Sequence, residues 1–200
     1  MSAKAGFGYN PEWTQDILNY FRFKLLNKAV LPISATTRDQ ILEILNKGVT
    51  EGWSIDRMVQ ELQGADIPLS RARTIVRTEI GAAQFYGTEL GKRSSPFVTV
   101  DRWISAHDSR VRHSHQDVDG HIIEEGDKFR VPIYRKNVIV GYDMMTGPGD
   151  PEASAGNVIN CRCTKVTRAA RDKDGNLVRR VSKISVILPE SRPVMPVITI

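Results

Sequence analysis

The hydrophobic period changes once along this chain, at Ser94-Ser95-Pro96. Before that point apolar residues recur at three- and four-residue steps, the repeat of a helix face buried on one side. After it they come in short β-rich runs separated by Gly, Pro and Asn. A chain with helices gathered in one half and short strands in the other folds as α+β rather than as an alternating α/β sheet. The expectation is about four N-terminal helices followed by a small antiparallel sheet with long loops.

Asn10-Pro11 starts the first helix, which the spacing of Trp13, Ile17, Tyr20, Phe21, Leu25 and Val30 carries to about Val30, before Pro32. Thr37-Arg-Asp-Gln40 has the form of a capping box, and a second helix should follow to about Lys47 or Val49. Ser54 is placed to cap a third, Ile55 to Gln63, that buries Ile55, Met58, Val59 and Leu62 and closes at Gly64. Helix, turn and helix over 37–63 share the outline of a DNA-reading unit. The second of them carries Asp56, Arg57, Gln60, Glu61 and Gln63 and is not basic, which favours a packing hairpin. Ser70 should cap a long helix, Arg71 to Lys92, with Ile75, Val76, Ile80, Ala83, Tyr86 and Leu90 in one stripe and Arg77 paired with Glu79 or another carboxylate.

Past Pro96, Phe97 to Trp103, Phe129 to Ile133, Val138 to Tyr142 and Asn157 to Val166 read as strands, with a turn at Tyr134–Asn137 and a loop over Met144–Ala155. Asp172-Lys-Asp-Gly-Asn176 signals a hairpin leading to a strand over Leu177–Leu188. Pro189, Pro193 and Pro196 make the last residues an extended arm. Three regions follow: helical 1–69, a mixed domain 70–166, and a basic C-terminal hairpin and arm 167–200.

Charge is unevenly placed. The chain carries a formal +5, and residues 160–200 hold nine Lys/Arg against three Asp/Glu. Arg168, Arg171, Lys173, Arg179, Arg180 and Lys183 are therefore the candidate contacts to nucleic acid or an acidic partner; the alternative is a solvated basic tail. No apolar run reaches about 18 residues, so no membrane partner is expected. The first residues lack the apolar stretch of a secretory signal, so synthesis and folding in a cytoplasm are expected. Cys161 and Cys163, one residue apart and without a secretory signal, read as reduced thiols or metal ligands rather than a disulfide.

The informative residues cluster. After Arg77-Thr78-Glu79 come Trp103, then Asp108-x-Arg110-x-Arg112-x-x-His115, then Asp119-Gly120, then Pro148-Gly-Asp-Pro151, then Asn160-Cys-Arg-Cys163. In this order and spacing, from about Ser70 to Val166, the chain resembles the Mu F-like head-morphogenesis family, the minor head proteins of tailed phages and prophages. The resemblance implies a binding role without catalysis, in procapsid assembly and handling of the packaged genome. Implied partners are the portal, a scaffold or major capsid protein, and double-stranded DNA. The implied location is the virion or procapsid interior, reached through the host cytoplasm. No cofactor is implied.

Read as chemistry, the same residues leave three options open. His115, Cys161 and Cys163, with Asp108 or Asp119 as a fourth ligand, form a zinc-type set, although Cys-x-Cys is tighter than the usual Cys-x₂-Cys. A thiol with His115 as base, oriented by Asp108 or Asp119, would suit a hydrolase. The third option is a structural knot. In it Asp108 caps a helix carrying Arg110 and Arg112, Gly120 takes a turn with positive φ, His115 bonds a backbone carbonyl, Trp103 anchors the core with its N–H satisfied, and Arg162 points away from the thiols as a strand neighbour.

Overall fold

In the computed structural model the described residues are 15–19 and 35–180. Residues 15–19 are helical. The rest of the first expected helix, the strand beyond 180 and the proline-rich arm lie outside the described residues.

Three helices come next: α1 (Ala35–Glu51), α2 (Ile55–Gly64) and α3 (Leu69–Ser94). Ile41 and Leu45 of α1, Met58, Val59 and Leu62 of α2, Ile67, and Ala72, Ile75 and Val76 of α3 form one core, with Trp53 against it. The 35–64 pair is thus a packing hairpin, and Arg57 stacks 3.9 Å over the Trp53 ring. Ser54 caps α2 as expected, accepting the Arg57 N–H at 3.2 Å.

Several boundaries differ from those expected. Thr37 lies inside α1, two residues past its start, so it is not the cap. Ser70 is not the cap of α3 either; Pro68 holds that position, its fixed φ suiting the entry. Asp66, at φ 59°, rather than Gly64, makes the left-handed turn after α2. Ile55 is exposed, because the first turn of α2 projects past the core.

The second half holds β1 (Thr99–Ile104), α4 (His113–Gln116), β2 (Ile122–Glu124), β3 (Phe129–Arg135), β4 (Val138–Met145), α5 (Ala155–Val158) and β5 (Thr164–Ala169). β1 is the centre of a three-stranded antiparallel sheet in the order β2-β1-β5, and β3 and β4 form a separate antiparallel pair. Lys136 and Asn137 turn the β3–β4 hairpin with positive φ at both positions, the geometry that matches strand twist. Beyond β5, Arg171 bridges Leu177 and Phe97 bridges Arg179, around the Asp172–Asn176 turn. A second core gathers Trp103, Val118, Phe129, Val131, Met145 and Val158. Phe129 meets the Trp103 ring edge-on at 5.3 Å.

The expected last strand from Asn157 is shorter. Asn157 and Val158 belong to α5, and Asn160 takes φ 55°, so pairing begins only at Thr164. The local reason is side-chain bonding. Asn157 Nδ2 donates to Pro132 O and to Asp143 Oδ2, and its Oδ1 accepts from Ser114 Oγ, which pins α5 between α4 and the β3–β4 pair.

One charged group is buried where the pattern offered only alternation. Asp101 sits on the inward face of β1 with Thr99 and Trp103. Burial pushes its carboxyl up, but hydrogen bonds from Lys92 and Thr167 and the charge of Lys165 outweigh that, and its pKa is lowered. Lys92 Nζ lies 2.6 Å and Lys165 Nζ 3.1 Å from Asp101 Oδ2, and Lys165 also meets Glu89. This cluster bolts the C-terminal end of α3 to β1 and β5.

Candidate functional site

The five motifs meet in space. Trp103 brings β1 into the second core, and its carbonyl accepts the Gly120 N–H at 2.9 Å. Gly120 takes φ 77°, as the Asp-Gly pair suggests. Asp119 Oδ1 accepts the Ser105 N–H at 2.7 Å, just past β1. Thr78 Oγ1, on α3, accepts the Asn160 N–H at 2.9 Å, which joins the Arg-Thr-Glu motif to Asn-Cys-Arg-Cys. Gly149, at φ 83°, lies so close to α3 that a Cβ there would stand 2.6 Å from Gly81 O. Asp150 holds that loop by accepting the Thr146 and Glu152 N–H groups.

At the centre stands His115, buried on α4. Its Nδ1 lies 3.3 Å from Cys163 Sγ and 3.5 Å from Cys161 Sγ. The ring meets Trp103 edge-on at 5.0 Å. Nε2 is buried without a hydrogen-bond partner among the described residues, so His115 bonds no backbone carbonyl. Both cysteines lie on the link from α5 to β5, not on a strand. Their sulfurs turn to the same side because that link is bent, with Cys163 N–H donating to Cys161 Sγ at 3.4 Å. The Cys163 thiol, by its hydrogen bond, lowers the Cys161 pKa against the opposing effect of burial, and His115 adds to the lowering; Cys163 is correspondingly held protonated by its neighbour. The Trp103 indole N–H makes no hydrogen bond of good geometry, which corrects the expectation of a satisfied N–H, yet it lies near enough to Cys163 to favour that thiol's charged form.

The two carboxylates expected beside the sulfurs are elsewhere. The Asp108 carboxylate accepts from both terminal nitrogens of the Arg162 guanidinium, and the Nη2–Oδ1 contact is 2.7 Å. That pair, first by its hydrogen bonds, holds Asp108 well below the usual carboxylate range. Asp108 caps no helix; it closes a turn by accepting the Arg110 N–H. Asp119 serves Ser105 and faces His107 at 3.6 Å. Among the described residues the ligand-type atoms within 4.8 Å of one another are those of His115, Cys161 and Cys163, without either aspartate. Among the described residues neither Asp108 nor Asp119 is placed to orient His115. The Arg162 guanidinium is held by Asp108 rather than by strand alternation. Arg112 donates to the carbonyls of Gly156 and Ile159, fixing the cysteine link from its other end.

Of the remaining histidines, His107, His113 and His121 are exposed or largely so. Arg77 lines a crevice of about 20 Å³ with Thr78, Gly81, Gln84, Cys161 and Cys163. Among the basic candidates, Arg168, Arg171, Lys173 and Arg179 are exposed. Arg180 is committed to Glu125 at 2.6 Å, and Lys183 lies outside the described residues. Sequence reasoning missed the Asp101 cluster and the Asn157 hub. Asp101 within a β-rich run was the available signal for the first; Asn157 carried none.

No helix among the described residues is long and apolar enough to cross a membrane. No solved structure matches the chain. A relative, the uncharacterized protein YqbB of Bacillus subtilis (strain 168), is 27% identical over 132 residues, which are 64% of this chain and 40% of that protein. The chain thus spans well under half the length of that relative. The family model described as phage Mu protein F like protein matches residues 39–166, taking in most of α1 and all of α2 as well as the motif-bearing stretch. With those motifs folded onto one nucleus and matched across that span, the chain belongs to the phage Mu protein F-like family of head-morphogenesis proteins.

Proposed function

We propose that the chain acts as a minor head protein that docks on the portal during procapsid assembly, by binding and without catalysis. The observation that carries this reading is the face of β4. Ile139, Tyr142 and Met144 lie on one side of the strand, brought there by the register shift that leaves Val140 unpaired, and are 41% to 53% exposed. Val138 and Val140, at the hairpin end and at that irregularity, are exposed too. The strand belongs to a two-stranded ladder, so its outer edge has no strand partner among the described residues. Apolar side chains in a row beside an open strand edge favour strand addition or face-to-face docking. Arg130 stacks 3.7 Å over Tyr142 and keeps part of that surface wet. Family membership supplies the head as the setting.

The test is co-expression with the portal protein of the same phage, followed by capture. The wild-type chain should bring the portal down, and Val140→Asp with Met144→Asp should abolish capture while the melting curve stays unchanged. Equal capture by the double variant would remove β4 as the docking face.

Exposed Arg168, Arg171, Lys173 and Arg179 favour a second contact, with double-stranded DNA. Glu124 and Glu125 adjoin Arg168 and Arg171 around a shallow hollow, which limits that contact to the outer cations. Affinity should fall steeply with salt, with a smaller slope after Arg171→Ala and Lys173→Ala.

A further inference from the structure

We propose that His115, Cys161 and Cys163 form a zinc site with three protein ligands and one open position. Tetrahedral zinc, about 2.3 Å from sulfur and about 2.0–2.1 Å from nitrogen, sets its nitrogen and sulfur ligands about 3.5 Å apart. His115 Nδ1 stands 3.3 and 3.5 Å from the two sulfurs. All three ligand atoms lie within 4.8 Å of one another. Two thiols and an imidazole are a soft set that selects zinc over magnesium or calcium.

The surroundings suit metal-bound thiolates. Cys161 Sγ accepts the Cys163 N–H, and the Ala106 backbone hydrogen-bonds Cys163. Such outer bonds orient sulfur ligands and spread their charge. The Arg162 guanidinium lies near both sulfurs, and its pairing with Asp108 keeps it fixed there. The three ligands come from α4 and from the α5–β5 link, 46 and 48 residues apart along the chain, so a bound ion would cross-link the second core. Neither Asp108 nor Asp119 is free to be the fourth ligand. The crevice of about 20 Å³ that adjoins both cysteines has room for about one water there.

The inference does not rest on portal docking. The experiment uses the full chain purified without chelator. Elemental analysis should find one zinc per chain. Cobalt(II) in its place should give visible ligand-field bands and a near-ultraviolet thiolate-to-metal band, both lost in Cys161→Ser and Cys163→Ser. Because those variants can fail to fold, the wild type carries a second readout. Chelation should raise the reaction rate of the two thiols with a disulfide reagent by at least about tenfold, and added zinc should reverse it. Wild-type protein without stoichiometric zinc, without the cobalt bands, and with thiols that react equally fast with or without zinc would overturn the site.

Discussion

Replacing Gly149 by alanine tests whether the Pro148-Gly-Asp-Pro151 loop is pressed onto α3. Two costs combine. Gly149 has φ 83°, where an L side chain costs about 1–2 kcal/mol. Its new Cβ would also lie 2.6 Å from Gly81 O and 2.9 Å from Gly81 C. Those atoms belong to a helix backbone, which cannot swing aside as a side-chain tip can. The loop must retreat, and forced overpacking of this kind costs about 1–3 kcal/mol. Together the loss is about 2–5 kcal/mol. Equilibrium urea unfolding, followed by tryptophan fluorescence, reads it as a lowered midpoint at constant slope. Gly81→Ala is the internal control: nothing lies within 4 Å of a Cβ at that position, and alanine in mid-helix gains up to about 1 kcal/mol. If Gly149→Ala unfolds at the wild-type midpoint, the loop does not bear on the helix and the argument for one nucleus loses a contact.

Phe129→Ala removes a fully buried ring packed on Trp103 and should cost about 3–5 kcal/mol in the same assay. Ser54→Ala should cost about 1 kcal/mol, because its oxygen accepts the Arg57 N–H, whereas Ser70→Ala should leave stability within about 0.5 kcal/mol, since that side chain caps nothing. Asp101 has a lowered native pKa, so its contribution is fully present above the unfolded carboxylate value of about 3.9 and is lost as pH falls from there through the native value. Asp101→Asn should therefore flatten the acid limb of the stability curve measured by thermal melts between neutral and acid pH; an unchanged limb would mean that other carboxylates carry it.

The helical half was largely legible because it is periodic. Met58, Val59 and Leu62, or Ile75 and Val76, announce a buried face by spacing alone, and that face is what the core uses. The ends were less legible. Thr37 and Ser70 have the right chemistry for caps, but Thr37 falls inside α1 and the entry to α3 runs through Pro68. Of the site, the grouping of His115 with Cys161 and Cys163 could be read from motif order. Which carboxylate joins them could not. Asp108 and Asp119 look equivalent in the sequence, and only the fold shows one given to Arg162 and the other to Ser105. The α5–β5 link read as strand because Val158 and Ile159 favour strands, and the bonds of Asn157, with partners about 14 to 43 residues distant, override that preference.

The placement of β1 has a temporal consequence. It is the middle strand, yet one of its two neighbours, β5, is made long after it, with Thr167 66 residues along from Asp101. On a ribosome the helical core of α1, α2 and α3 has only nearby partners and can close as it emerges. Asp101 must wait for Lys165 and Thr167 until β5 has left the exit tunnel. Chain growth thus divides the molecule into an early-folding and a late-folding half, and any arrest of translation before β5 would release a chain whose helical core is closed and whose Asp101 lacks Lys165 and Thr167.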